Sequence, residues 1–306
     1  MHDKNKILII GCNGFIGSHC YKYFSTNENY ITYGCDVGQN DNIRDFYLID
    51  PSAADFESIF SSQSFDICIN CSGAANVPIS LERPFFDFEL NTVNVFKILN
   101  AIKTYAPECK FLNLSSAAVY GNPQSLPIKE EDDVNPVSPY GYHKLMAEII
   151  CKEFHKFWNL KTLSLRIFSA YGPGLKKQIF WDIFQKLKGK PESIELYGTG
   201  EETRDFIYIK DLVHLIDLVI TKAIFDGSVL NAANGLQSKI KDIALIARNE
   251  ISASSQLNFK GCNRKGDPLN WEADITKIKN IGYVPTKSLS EGIKNYMTWL
   301  KEEGLL

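Results

Sequence analysis

Long apolar runs, clustered charge and internal repeats are all missing from this 306-residue chain. Its longest apolar stretches, such as Ile7 to Ile10, fall far short of the roughly 20 residues that span a bilayer, so no membrane partner is expected. Lys plus Arg number 33 against 36 Asp plus Glu, a net charge of −3 with no basic stripe. That balance argues against a nucleic-acid partner, whose binding depends on neutralising phosphates. The start, Met1-His2-Asp3-Lys4-Asn5-Lys6, lacks the apolar segment and small-residue cleavage site of a secretory leader, so a cytoplasmic location is expected. Metal-ligand spacing is missing too. Eight cysteines are present: Cys12, Cys20, Cys35, Cys68, Cys71, Cys109, Cys151 and Cys262. The nearest two, Cys68 and Cys71, lie in a strand-like run whose period of two turns them to opposite faces. All read as small hydrophobes in a reducing compartment, and no metal is expected.

What is present is a 44% hydrophobic composition, ample for two packed lobes that share a cleft. Strand-like runs at Ile7 to Ile10, Ile31 to Asp36, Tyr47 to Ile49, Ile67 to Cys71, Phe111 to Ser115 and Thr162 to Ile167 alternate with helical periodicity. The helical patterns are Phe15 to Phe24, Asp55 to Phe60, Phe85 to Tyr105 and Tyr140 to Trp158. This alternation predicts an α/β chain, a Rossmann-type doubly wound parallel sheet with a smaller C-terminal α/β lobe. Residues 1–171 are expected to build the first domain, with 205–230 returning to it and the segment 203–221 rejoining its sheet. Beyond Tyr171-Gly172-Pro173-Gly174 the alternation breaks, so 172–204 and 231–306 are assigned to the second lobe.

Directly after the first strand comes Gly11-Cys12-Asn13-Gly14-Phe15-Ile16-Gly17, opening a predicted helix. Glycines at this spacing permit a tight turn, a close backbone approach to a pyrophosphate and close helix-to-strand packing, while the helix N-terminus offers free N–H groups. Dinucleotide binding by Gly11, Gly14, Phe15, Ile16 and Gly17 is therefore predicted. Asp36 ends the second strand, where a carboxylate can accept hydrogen bonds from an adenosine 2′-hydroxyl and repel a 2′-phosphate. That favours NAD over NADP; the plainer reading of Asp36 is a strand-terminal turn residue. Asp50, after the third strand, suits an adenine contact or, equally, an N-terminal helix cap.

The fifth strand ends in Ser115-Ser116-Ala117-Ala118-Val119-Tyr120-Gly121, which places the Ser115 and Ser116 hydroxyls at the carboxyl edge of the sheet, where such folds bind ligands. Tyr140 and Lys144 lie four apart on a predicted helix and share a face. An ammonium beside a phenol is expected to draw its pKa from about 10 towards neutrality. Tyr140 then serves as general base and acid, and Ser116 holds the substrate hydroxyl, or the ketone it becomes, by hydrogen bonding.

The Gly11 loop, Asp36, Asn91, the Ser116/Tyr140/Lys144 set and the runs Arg166 to Pro173, Gly198 to Tyr208 and Arg264 to Asp267 resemble the extended short-chain dehydrogenase/reductase family. The likeness is to its nucleotide-sugar epimerase and dehydratase branch and covers nearly the whole chain. It implies that Asn91 supports proton relay, that Lys144 also binds the nicotinamide ribose and that Phe168 lies beside the nicotinamide. Asn70-Cys71-Ser72-Gly73 stands where the branch has a His-x-Ala-Ala run, and its Cys71, Ser72 and Gly73 are expected along the cofactor, as is Ser115. On the substrate side the resemblance implies that Arg204 and Arg264 grip a diphosphate, that Asp267 accepts ribose hydroxyls and that Tyr197 flanks the base. Ser169 replaces a usual Asn and shortens one substrate contact. Trp271 resembles a gate whose bulk crowds a C2 N-acetyl group, so a non-acetylated hexose is expected. The run Leu175 to Trp181 departs from the usual substrate loop and receives no assignment. The partners implied are a nucleotide-diphosphate sugar and a second copy of the chain, paired through a four-helix bundle of the two long helices.

Dehydratases and decarboxylases of that branch carry acidic residues beside the catalytic Ser or Thr, whereas this chain has Ala117 and Ala118. A methyl group can neither donate nor abstract a proton, which leaves redox chemistry at the sugar alone. The leading expectation is a nucleotide-sugar 4-epimerase that passes through a transient 4-keto sugar. Alternatives are an NAD(P)H-dependent 4-ketoreductase or dehydrogenase of deoxysugar biosynthesis and a non-catalytic dinucleotide sensor.

Overall fold

The computed structural model describes residues 4–262 and 268–306. From the N-terminus run β1 (Asn5–Ile10), α1 (Phe15–Ser25), β2 (Tyr30–Asp36), β3 (Phe46–Leu48), α2 (Glu57–Ser62) and β4 (Ile67–Asn70). Next come α3 (Val77–Glu82), α4 (Pro84–Phe88), a π-helical turn at Glu89–Val93, α5 (Asn94–Tyr105), β5 (Lys110–Ser116), a 3₁₀ turn at Ala117–Val119, α6 (Pro139–Trp158) and β6 (Thr162–Ile167). The chain continues through β7 (Ser169–Tyr171), α7 (Gln178–Leu187), β8 (Ser193–Leu196), β9 (Thr203–Tyr208), α8 (Ile209–Lys222) and β10 (Val229–Ala232). It closes with β11 (Gln237–Lys239), α9 (Ile240–Ile251), β12 (Gln256–Phe259), α10 (Thr276–Asn280) and α11 (Leu289–Glu302).

Seven strands form one parallel sheet in the order β10-β6-β5-β4-β1-β2-β3. Strands buried on both faces must be apolar on both, which is why Ile7, Leu8, Ile9 and Ile10 follow one another without alternation. Ile7 and Ile9 face a core that continues through α1 and α8 to α7, α9 and α11. Leu8 and Ile10 face a second core beneath α2, α5 and α6. Cys68 belongs to that second core and Cys71 packs against the first. Strand order reverses between β1 and β4, so the chain diverges there and leaves a crevice at the carboxyl ends of the strands.

Two expectations need correction. The pattern Phe85 to Tyr105 is not one regular helix: Pro84 starts α4, and the wide turn at Glu89–Val93 interrupts it before α5. The segment 203–221 does not rejoin the large sheet as a whole. Its strand β9 pairs with β7 and β11 in a separate three-stranded sheet, because the chain leaving β6 bends away at Phe168 and the free edge of β6 is taken by β10. Strands β8 and β12 form a further parallel pair.

Candidate active site

The tight turn after β1 is shaped by its glycines. Gly11 adopts the left-handed region (φ +81°), and a Cβ there would fall 2.7 Å from the Ser72 nitrogen. A Cβ on Gly17 would fall 2.0 Å from the Gly11 carbonyl oxygen, so only glycine lets α1 sit against the turn. Gly14 occupies the N-cap of α1 without any side-chain cap, and Gly14, Phe15 and Ile16 at this bare helix start line the cavity wall. At the end of β2, the Asp36 carboxylate accepts N–H bonds from Asn13 (2.9 Å) and Val37 (2.8 Å), which fixes its oxygens beside the turn. Asp50 is exposed and accepts from the Ser52 N–H (2.8 Å) and hydroxyl (2.7 Å). It closes a turn rather than capping α2, which starts only at Glu57.

A cavity of about 530 Å³ opens along the carboxyl edge of the large sheet and reaches to β8, β9 and Trp271. Of the residues singled out in the sequence, Gly14, Phe15, Ile16, Cys71, Ser72, Gly73, Ser115, Ser116, Tyr140, Lys144, Phe168, Ser169, Tyr197, Arg204 and Trp271 line it. Gly11, Gly17, Asp36 and Asn91 stand behind or beside that lining, Asp50 is not among the lining residues, and Arg264 and Asp267 lie outside the described residues. The Ser72 hydroxyl donates to Asn70 Oδ1 at 2.5 Å.

At the centre, Ser138 caps α6 by accepting the Gly141 N–H (3.2 Å), with Pro139 pre-setting the first turn, so Tyr140 enters the cavity at the very start of the helix. Tyr140 and Lys144 are both buried, one turn apart. Burial pushes the Tyr140 phenol up to about 12, and a hydrogen bond with Ser116 pulls the other way. The expected drift of the phenol towards neutrality is thus reversed. Desolvation outweighs the Ser116 hydrogen bond, the Asp87 carboxylate adds to the rise, and burial likewise lowers Lys144 to about 8. The Lys144 Nζ donates to the Leu114 carbonyl at 3.0 Å.

The wide turn Glu89–Val93 aims Asn91 at the same point. Its Nδ2 donates to the Ala74 carbonyl (3.2 Å), while its buried Oδ1 has no hydrogen-bond partner among the described residues. A Cβ on Gly73 would land 2.4 Å from that Oδ1 and 3.4 Å from Lys144 Nζ, so the three groups surround one small space. An orphaned buried acceptor beside a side-chain-free backbone marks a place shaped for a bound group. Together with the bare turn at Gly11 and the carboxylate at Asp36, this fits a dinucleotide.

On the far wall, Trp271 donates from Nε1 to the Gly121 carbonyl (3.0 Å) and meets Phe168 edge-on at 5.8 Å. Arg204 lies over the Trp271 ring (5.5 Å) with Nη1 bonded to the carbonyls of Thr203 (2.8 Å) and Leu269 (3.1 Å). Sequence reading missed Lys177, whose amine burial shifts downward, and Asp182 and Glu202, which also line the cavity. Lys177 falls in the run left unassigned, and only the path of the chain past Gly174 brings it to the rim.

Over residues 7–233 the chain matches the NAD dependent epimerase/dehydratase family. It is 27% identical over 304 residues, 96% of this chain and 98% of the relative, to a putative UDP-glucose 4-epimerase of Methanocaldococcus jannaschii. A UDP-glucuronic acid 4-epimerase from Bacillus cereus, solved with UDP-glucuronic acid and NAD, superposes with a TM-score of 0.88 at 27% identity, covering 97% of this chain and 99% of that one. A UDP-N-acetylglucosamine 4-epimerase from Methanobrevibacter ruminantium M1, solved with UDP-N-acetylmuramic acid, gives a TM-score of 0.86 at 27% identity, covering 99% and 100%.

Proposed function

This chain belongs to the NAD dependent epimerase/dehydratase family, and from that premise we propose that it is a nucleotide-sugar 4-epimerase acting through a transient 4-keto sugar. The observation that carries the reading is the convergence of Ser116, Tyr140 and Lys144 on one cavity wall, with methyl groups at Ala117 and Ala118 where elimination chemistry would need acids. NAD, when bound, would supply the reversible two-electron oxidation and reduction at C4. Tyr140 removes the C4 hydroxyl proton and gives it back, Ser116 hydrogen-bonds the C4 oxygen throughout, and the Lys144 ammonium favours the phenolate. Rotation of the keto sugar before it is reduced inverts the centre.

The Gly11 to Gly17 turn and Asp36 hold the pyrophosphate and adenosine ribose, Gly73, Asn91 and Lys144 the other ribose, and Phe168 the nicotinamide face. Arg204 and Arg264 hold the substrate diphosphate, Asp267 its ribose and Tyr197 its base. Trp271, wedged against Phe168, limits space at C2 and selects a non-acetylated hexose. Trp271→Cys is expected to raise kcat/KM for N-acetylhexosamine nucleotides relative to hexose nucleotides; an unchanged ratio overturns that assignment. The two-lobed division, a homodimer and a cytoplasmic location belong to the same proposal. The dimer is supported by apolar side chains left exposed on α4 to α6, and the location by the burial of six of eight thiols.

The test is proton NMR of the purified protein with UDP-, TDP-, CDP- and GDP-hexoses and no added cofactor. Anomeric signals that reach the same ratio from either epimer establish epimerisation on retained NAD. Conversion only of a 4-keto sugar with added NADH or NADPH would establish a ketoreductase instead.

A further inference from the structure

Tyr140, Lys144 and Glu148 occupy successive turns of α6 along one face. Glu148 never reaches the cavity. It is 6% exposed, and its Oε1 accepts the Ser115 hydroxyl at 2.5 Å. Arg166, on β6 and 5% exposed, forks onto the same carboxylate, with Nε at 3.1 and 3.2 Å from its two oxygens and Nη2 at 2.8 Å from Oε2. The guanidinium lies over the Tyr120 ring (4.7 Å) and donates from Nη1 to the Glu130 carbonyl (3.1 Å). The network runs on from Tyr120 to Asn231 Oδ1 (2.7 Å), while Asn231 donates its backbone N–H to Glu130 Oε1 (2.9 Å) and its Nδ2 to the Ile128 carbonyl (2.9 Å).

A buried ion pair is a poor device for stability alone, because desolvation offsets most of the attraction and packed apolar side chains would serve as well. Its distinctive property is geometric. A bidentate fork fixes distance and direction together, and here it ties β5, β6 and α6 at one point. We propose that Glu148, held by Arg166, is a positioning residue that aligns Ser116 with Tyr140 and Lys144. It does so by fixing Ser115, the residue before Ser116, to the helix that carries the other two. The proposal rests on the reading that Ser116 and Tyr140 act on the sugar.

The experiment uses the NAD-retaining protein and Glu148→Gln, which keeps shape and an acceptor for Ser115 but removes the charge opposite Arg166. Misalignment of reacting groups by an ångström costs on the order of 100-fold, so kcat is expected to fall ~10- to 100-fold while KM changes less than about twofold. In a Ser116→Ala background the same substitution is expected to cost less than about threefold, because the clamp then has nothing to align. A loss confined to KM, or an equal loss in both backgrounds, overturns the proposal. Hydrogen exchange gives a readout that needs no substrate: peptides covering 110–120 and 139–158 should exchange ~10-fold faster in Glu148→Gln, with those of β1 and β2 unchanged. Unchanged exchange at 110–120 overturns the clamp even if the wild-type protein converts no hexose nucleotide, which would instead count against the functional reading. Should Glu148→Gln fail to fold, Ser115→Ala removes one hydroxyl only, and is expected to lower kcat by a smaller factor with NAD still retained and with the same non-additivity; additive loss overturns the proposal there too.

Discussion

Lys144 carries a conflict between stability and chemistry that can be measured. Its folded pKa of about 8 lies below the roughly 10.4 of an exposed lysine. Between those values the folded chain binds fewer protons than the unfolded one, so this group makes stability rise with pH across that window. Below about pH 8 burying the ammonium opposes folding by about 3 kcal/mol. Lys144→Met is therefore expected to raise the urea midpoint at pH 7, with a gain that fades from pH 8 to 10.4, while turnover falls ~10²- to 10⁴-fold. Urea melts over a pH series with parallel NMR assays check both halves. Tyr140→Phe should match that fall in turnover with retained NAD unchanged, as judged by absorbance of the purified protein.

Among the elements, α6 sets the geometry, and the closeness of its first turn to the 3₁₀ turn after Ser116 is the sensitive dimension. A Cβ at Gly141 would stand 2.6 Å from the Ala118 carbonyl oxygen and 2.9 Å from Pro136 Cβ. Alanine would favour the helix by about 1 kcal/mol in isolation. Contact with a backbone oxygen cannot be relieved by a rotamer change, so overpacking of about 1–3 kcal/mol is expected to win. Gly141→Ala should thus lower the urea midpoint and push Tyr140 away from Ser116, reducing kcat more than KM. A higher midpoint would show that α6 can shift without strain. The wide turn at Glu89–Val93 acts similarly for Asn91: regular helix through this segment would aim the side chain elsewhere, and the added residue in the turn presents it to Gly73.

At the scale of the whole molecule, the same α4 to α6 layer that carries the site on its inner side leaves Phe85 (69% exposed), Ile149 (58%) and Phe157 (67%) on its outer side. Apolar area of this kind on a chain of nearly balanced charge is what the proposed homodimer would cover. If two copies pair there, Ile149→Glu places a charge within the joint and should halve the mass seen by light scattering at micromolar concentration. A wild-type protein already monomeric at that concentration would remove the homodimer from the proposal. No helix among the described residues is long and apolar enough to cross a membrane.

What the sequence by itself determined were the features written in short-range pattern. The parallel sheet follows from apolar runs such as Ile7 to Ile10 alternating with helical periodicity, and NAD from a glycine turn and Asp36 that lie next to consecutive strands. Tyr140 and Lys144 could be paired because helical geometry makes neighbours of residues four apart. Only the tertiary structure decided what depends on burial and on partners distant in the chain. The phenol of Tyr140 moves up rather than down because its desolvation comes from the tertiary packing around it and not from its neighbour along the helix. Strand β9 joins a separate sheet because the edge of β6 was already taken by β10, a competition no local pattern records. Glu148 meets Arg166 and Ser115 because β5, β6 and α6 converge, and Asn91 faces Gly73 because one helical turn widens. Local chemistry is inherited from the order of residues, whereas electrostatics and alignment arise from which groups exclude water from one another.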